Sequence, residues 1–78
     1  MQVKILGTGC PKCNTLANNV QTALKETGKT AEVIKVTDMA DIIDYDIMMT
    51  PALVIDEEVK ISGRVATVRE IRKMLEDQ

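Results

Sequence analysis

Gly7-Thr8-Gly9-Cys10-Pro11-Lys12-Cys13 holds both cysteines of a 78-residue chain that has no histidine. Upstream, Val3-Lys4-Ile5-Leu6 is a short run rich in β-branched residues and stopped by Gly7 and Gly9, which reads as a strand. Downstream, from Asn14 to Thr27, apolar residues fall at Leu16, Ala17, Val20, Ala23 and Leu24. Intervals of three and four mark one face of an amphipathic helix, with Gly28 as its stop. Pro11 suits the first helical position, because its missing N–H would have no intrahelical partner there. Cys10 then caps the helix and Cys13 falls in its first turn, so both sulfurs lie near the positive end, where free N–H groups favour a thiolate. The thiolate is the reactive form in both redox chemistry and metal binding, and Lys12 adds a positive charge beside it.

Working outward, Glu32–Val36 reads as a second strand. Asp38 looks like the cap of a short helix with Met39, Ile42 and Ile43 as its buried stripe. Pro51 closes that region. Ala52-Leu53-Val54-Ile55 is apolar throughout, as in a strand covered on both faces. Asp56-Glu57-Glu58 makes a turn without the glycine that tight hairpins favour, and Val59-Lys60-Ile61-Ser62 returns as an alternating edge strand. Thr67-Val68-Arg69-Glu70 is a capping box, opening a helix whose inner face is Val68, Ile71, Met74 and Leu75. The order β-α-β-α-β-β-α predicts an α/β fold over one domain, residues 1–78. The first βαβ unit demands parallel strands and the later hairpin antiparallel ones, so a mixed four-stranded sheet flanked by helices on both faces is expected.

The totals narrow the function. Ten basic and twelve acidic residues leave a net charge of −2, which gives no electrostatic reason to expect nucleic acid or an anionic membrane as partner. No apolar run approaches the ~20 residues needed to span a bilayer, and MQVKILGTGC is too short in its apolar stretch for a signal peptide. A cytoplasmic location is expected, where cysteines are usually reduced and a lone pair reads as catalytic or metal-binding. A disulfide across so short a loop would constrain little of the unfolded chain.

Three uses of the pair compete. As a dithiol, Cys10 at the mouth of the turn is the better attacker of a substrate disulfide, and the deeper Cys13 the better group to resolve the mixed disulfide. As a soft-metal site, two thiolates suit a copper-type cation. Small copper-carrying domains, however, usually have methionine where this chain has Thr8, rarely a proline between the cysteines, and a final strand rather than a capped helix. A zinc or iron-sulfur site would need ligands from a second subunit, because one chain supplies only two thiolates. The pair could also be two buried small hydrophobes, which the adjoining Pro11 and the glycines argue against. Dithiol exchange ranks first.

With CPKC at the strand–helix turn, Thr50-Pro51 just before a strand, and Gly63 after the hairpin, the chain resembles the thioredoxin-like superfamily over essentially its whole length. The small glutaredoxin-sized thioredoxins of archaea and bacteria, also called redox-active disulfide proteins, are the most similar. The resemblance implies a minimal thioredoxin fold and a cis Pro51 facing the cysteines. It also implies that Thr50 and Pro51 floor the substrate site, with Gly63 at its rim.

Some positions depart from the family's patterns. Gly9 stands where thioredoxins usually have tryptophan, and Lys12 where they have glycine or glutaredoxins tyrosine. Thr8, Met49-Thr50-Pro51 and Gly63-Arg64-Val65-Ala66 do not match the glutathione-recognising pattern, so protein disulfides are the expected substrates. The expected protein is a cytoplasmic monomeric reductant using Cys10 and Cys13, with Pro11 and Lys12 in the active-site turn. It needs no cofactor and no metal, and relies on a separate reductase. Met48 and Met49 are candidates for core filling or an adaptable substrate groove. Arg64, Arg69, Arg72 and Lys73 suggest a solvated helix face, and Tyr45 a packing residue.

Overall fold

The computed structural model describes residues 1–9, 11–47 and 49–77; Cys10, Met48 and Gln78 lie outside the described residues. The elements are β1 (Gln2–Leu6), α1 (Pro11–Thr27), β2 (Glu32–Val36), α2 (Met39–Ile43), β3 (Ala52–Ile55), β4 (Glu58–Ser62) and α3 (Val68–Glu76). The strands form a four-stranded sheet in the order β2-β1-β3-β4. β1 runs parallel to β2, with Val3 opposite Val33 and Leu6 opposite Val36. It runs antiparallel to β3, with Val3 opposite Ile55 and Leu6 opposite Ala52. The expected mixed sheet of a minimal thioredoxin fold is the one observed.

Because strand side chains alternate between faces, β1 and β3 divide the core in two. Val3, Ile5, Leu53 and Ile55 pack against Leu16, Ala17, Val20, Ala23 and Leu24 of α1 and Ile71 and Leu75 of α3. Leu6, Ala52 and Val54 face the opposite way and meet Ile42 of α2, with Val36, Tyr45 and Ile47 beside them. All four residues of β3 are buried, as the unbroken apolar run predicted. Each large aliphatic side chain removed from water in this way contributes roughly 1.5–3 kcal/mol before the entropy of ordering is charged against it.

The helix ends follow local chemistry. At the end of α1, Gly28 takes φ +71°, and its N–H returns to the Leu24 carbonyl at 3.0 Å, the left-handed stop for which glycine is suited. Thr67 caps α3, with both reciprocal bonds of the capping box formed: Glu70 N–H to Thr67 Oγ1 and Thr67 N–H to Glu70 Oε1, each at 3.1 Å.

Three details differ from the sequence expectation. Met39 and Ile43 are not buried: they are 55% and 61% exposed, and only Ile42 of that trio is covered. A helix of five residues makes little more than one turn, so only the side chain aimed at the sheet is sheltered. The β3–β4 hairpin has a two-residue loop of the type I′ kind although it contains no glycine, with Asp56 at φ 48° and Glu57 at φ 68°. Finally, β4 does not alternate cleanly. The pairing shifts between Leu53–Ile61 and Val54–Val59, a bulge that leaves Lys60 as the extra residue and Val59 exposed. Bulges of this kind are a common way of blunting a sheet edge.

Candidate active site

β1 delivers the chain to Gly7, whose N–H donates to the Val36 carbonyl of β2 at 3.0 Å, and α1 begins four residues on at Pro11. Cys10, the predicted attacking thiol, lies outside the described residues. Pro11 and Lys12 are exposed on the first turn of α1. Cys13 is on the same turn but points inward, only 6% exposed. No acidic residue occupies that turn, so nothing on it opposes a thiolate at the helix's positive end.

The Cys13 side chain reaches back to the end of β1. A Cβ built on Gly7 would lie 3.3 Å from the Cys13 Cβ, overlap the Cys13 sulfur, and sit 4.0 Å from the Thr50 Cβ. Gly7, Cys13 and Thr50 therefore meet at one point. The Thr50–Pro51 peptide bond is cis, the isomer that the family resemblance implies. Pro51 is fully buried while Thr50 stays exposed. The Pro51 carbonyl accepts from the Gly63 N–H at 2.9 Å. Gly63, at φ +81°, has Met49 against it, with the Met49 Cβ 3.1 Å from where a Gly63 side chain would begin. Met49 is itself 64% exposed, so it belongs to the surface over the hairpin rather than to the core.

A recess of about 20 Å3 opens beside Cys13, lined by Ile5, Gly7, Gly9, Asn14, Lys35 and Thr37 as well as the cysteine. That is room for about one water. Among the described residues lining it, the ionisable residues are Cys13 and the exposed Lys35 of β2. Among the described residues, no group of three or more His, Cys, Asp or Glu side chains comes together in a metal-holding cluster, and no helix is long and apolar enough to cross a membrane.

Charges elsewhere brace the site without entering it. Arg64, next to Gly63, makes a two-pronged pair with Glu70 at 3.0 and 2.7 Å. That pairing and the Thr67 N–H lower the Glu70 carboxyl to about 2. On the α2 face, Lys4 donates to Glu57 and, at 2.8 Å, to the Tyr45 hydroxyl. The Glu57 bond above all raises the Lys4 pKa, and the same bond lowers that of Glu57. Tyr45 thus packs, as read from sequence, and also anchors the hairpin turn to β1.

Sequence alone does not mark Gly7, Asn14 or Lys35 as site residues, and it offers Met49 only as a candidate for core filling or a groove. The only local signal was a glycine one residue ahead of the Thr8-Gly9 approach, which reads equally well as a strand stop.

The profile of the thioredoxin domain family matches residues 1–76. A thioredoxin of Methanothermobacter thermautotrophicus is 43% identical over 75 residues, covering 96% of this chain and 97% of that protein. A thioredoxin of Methanocaldococcus jannaschii is 40% identical over 73 residues, covering 94% of this chain and 84% of that one.

Proposed function

The chain belongs to the thioredoxin domain family, and on that premise we propose that it is a thiol-disulfide oxidoreductase acting on protein disulfides through Cys10 and Cys13. Cys10 attacks a substrate disulfide, and Cys13 then attacks the Cys10 sulfur and releases the substrate as a thiol. The start of α1, with Pro11 in its first position and Lys12 beside it, favours the thiolate. Thr50 and the cis Pro51 form the floor of the substrate site and Gly63 its rim. One domain over residues 1–78 carries the activity in the cytoplasm as a monomer, without a cofactor or bound metal, and a separate reductase restores the dithiol.

The observation that carries this reading is the inward-facing Cys13 in the first turn of α1, beside Gly7 and Thr50 of the cis turn. A sheltered second thiol next to a substrate-facing turn is what a resolving group requires. The rival reading, a soft-metal chaperone using the same cysteines, draws less support from a fold in which α2 separates β2 from β3, where small copper-carrying domains of β-α-β-β-α-β order have a direct β–β connection.

The test is to equilibrate the protein in dithiothreitol buffers of stepped potential, alkylate, and weigh it. A single two-electron transition near the ~−270 mV of thioredoxin, or somewhat above, is expected. Absence of an intramolecular disulfide, together with a metal retained through purification, would overturn the redox reading in favour of the chaperone.

A further inference from the structure

We propose that Gly7 is a positioning residue for the dithiol: it leaves open the space at the end of β1 that the Cys13 sulfur occupies, and so fixes the direction from which Cys13 acts. This rests on the reading of Cys13 as the resolving thiol. Gly7 does not have a positive φ, unlike Gly9, Gly28 and Gly63, so its backbone does not require glycine. What excludes a side chain is the neighbour: a Cβ at residue 7 would overlap the Cys13 sulfur and sit 3.3 Å from the Cys13 Cβ.

The overlap can be relieved in few ways. Cys13 lies within the 17-residue helix α1, buried alongside Leu16, Ala17 and Val20, so its backbone is held by packing. Rotation about χ1 is the cheap response, and a helix restricts which rotamers are open. A methyl at residue 7 therefore turns the sulfur away from the end of β1.

In the resolving step the Cys13 thiolate attacks the Cys10 sulfur of a mixed disulfide. The Cys10–Cys13 bond forms, the Cys10–substrate bond breaks, and the departing sulfur leaves as a thiolate that takes up a proton from water. Over both steps the dithiol gives up two electrons and two protons, and the substrate disulfide gains both as two thiols. A sulfur turned aside lowers the effective concentration of Cys13 at Cys10, which slows this step and weakens the intramolecular disulfide.

The experiment compares wild type, Gly7→Ala, Cys13→Ala and the double variant. Resolution is read as release of the second thionitrobenzoate after reaction with the aromatic disulfide 5,5′-dithiobis(2-nitrobenzoate), alongside the dithiothreitol equilibrium and urea unfolding of the reduced proteins. Gly7→Ala is expected to slow the second release about tenfold or more, and to move the potential towards more oxidising values by about 30 mV per tenfold loss of effective concentration. Its stability cost is expected when Cys13 is present and largely absent when Cys13→Ala has removed the sulfur. Should Gly7→Ala fail to fold, a folded double variant supports the proposal, and a double variant that also fails overturns it. Wild-type release rate and potential in Gly7→Ala, or an equal stability cost on both backgrounds, would also overturn it. A wild type that releases no second thionitrobenzoate sinks instead the reading of Cys13 as resolving thiol, whatever Gly7→Ala does.

Discussion

Gly63 donates its N–H to the Pro51 carbonyl at 2.9 Å, so the cis-proline turn and the end of β4 are one unit, with Met49 lying across it. Gly63 holds this bond at φ +81°, where a side chain is disfavoured by about 1–2 kcal/mol. Gly63→Ala is expected to lose about that much, and to crowd Met49 as well. Urea unfolding should show a lower midpoint with an unchanged slope. Met49→Ala in the same background should rescue neither cost, because the atom that crowds residue 63 is the Met49 Cβ, which alanine keeps. An unchanged midpoint in Gly63→Ala would contradict the assignment.

The Glu70 carboxyl gives the protein a definite acid limb. Its pKa in the folded state is about 2, against an ordinary 4.5, because Arg64 pairs with it and the Thr67 N–H donates to it. A carboxyl depressed by folding contributes stability that is fully present above its unfolded value and is lost as pH falls through the folded one. The melting temperature should therefore decline between about pH 4.5 and pH 2. In Glu70→Gln that decline should be shallower, and the protein less stable than wild type at neutral pH. Identical acid limbs in the two proteins would show that the pairing does not hold in solution.

The cysteines should part company when replaced singly. Cys13→Ser is expected to accumulate a mixed disulfide with a protein substrate, visible as a mass adduct that dithiothreitol removes. Cys10→Ser should form none and reduce nothing. The reverse pattern would exchange the two roles.

Burial on the sheet predicts a contrast between apolar residues that look alike in sequence. Leu16 and Leu53 are fully buried, and truncating either to alanine is expected to cost about 2–5 kcal/mol. Ile43, 61% exposed on α2, should tolerate alanine within about 0.5 kcal/mol. Chemical denaturation of the three variants checks it, and a large loss from Ile43→Ala would mean that this face is covered in solution.

How much was legible followed the range of the interactions involved. The unbroken run Ala52–Ile55 announced a strand buried on both faces, and it is one. Thr67 and Glu70, three apart, announced the capping box that forms. The stripe on α2 misled because periodicity says which residues share a side, not how far a five-residue helix is covered. The glycine-free turn at Asp56 and Glu57 takes left-handed φ at both residues. Bonds from distant β1 hold it there: the Gln2 N–H to Asp56 Oδ1 at 2.9 Å and Lys4 to Glu57. No local propensity could have indicated either bond.

By itself the sequence determined the order of elements, the parallel β1–β2 pair, the antiparallel β3–β4 hairpin, and the placing of Cys13 in the first turn of α1, but not the antiparallel β1–β3 pairing at the centre of the sheet. Spacing, caps and chain connectivity act over a few residues, or through crossovers that must close. The tertiary structure alone decided that Gly7, Cys13 and Thr50 converge, that Lys35 lines the recess beside the thiol, and that Met49 rides on Gly63. Those neighbours come from separate strands, loops and the first turn of α1. They meet only when the two faces of one sheet have been packed, and the room left for a sulfur at the end of β1 is a property of that packing.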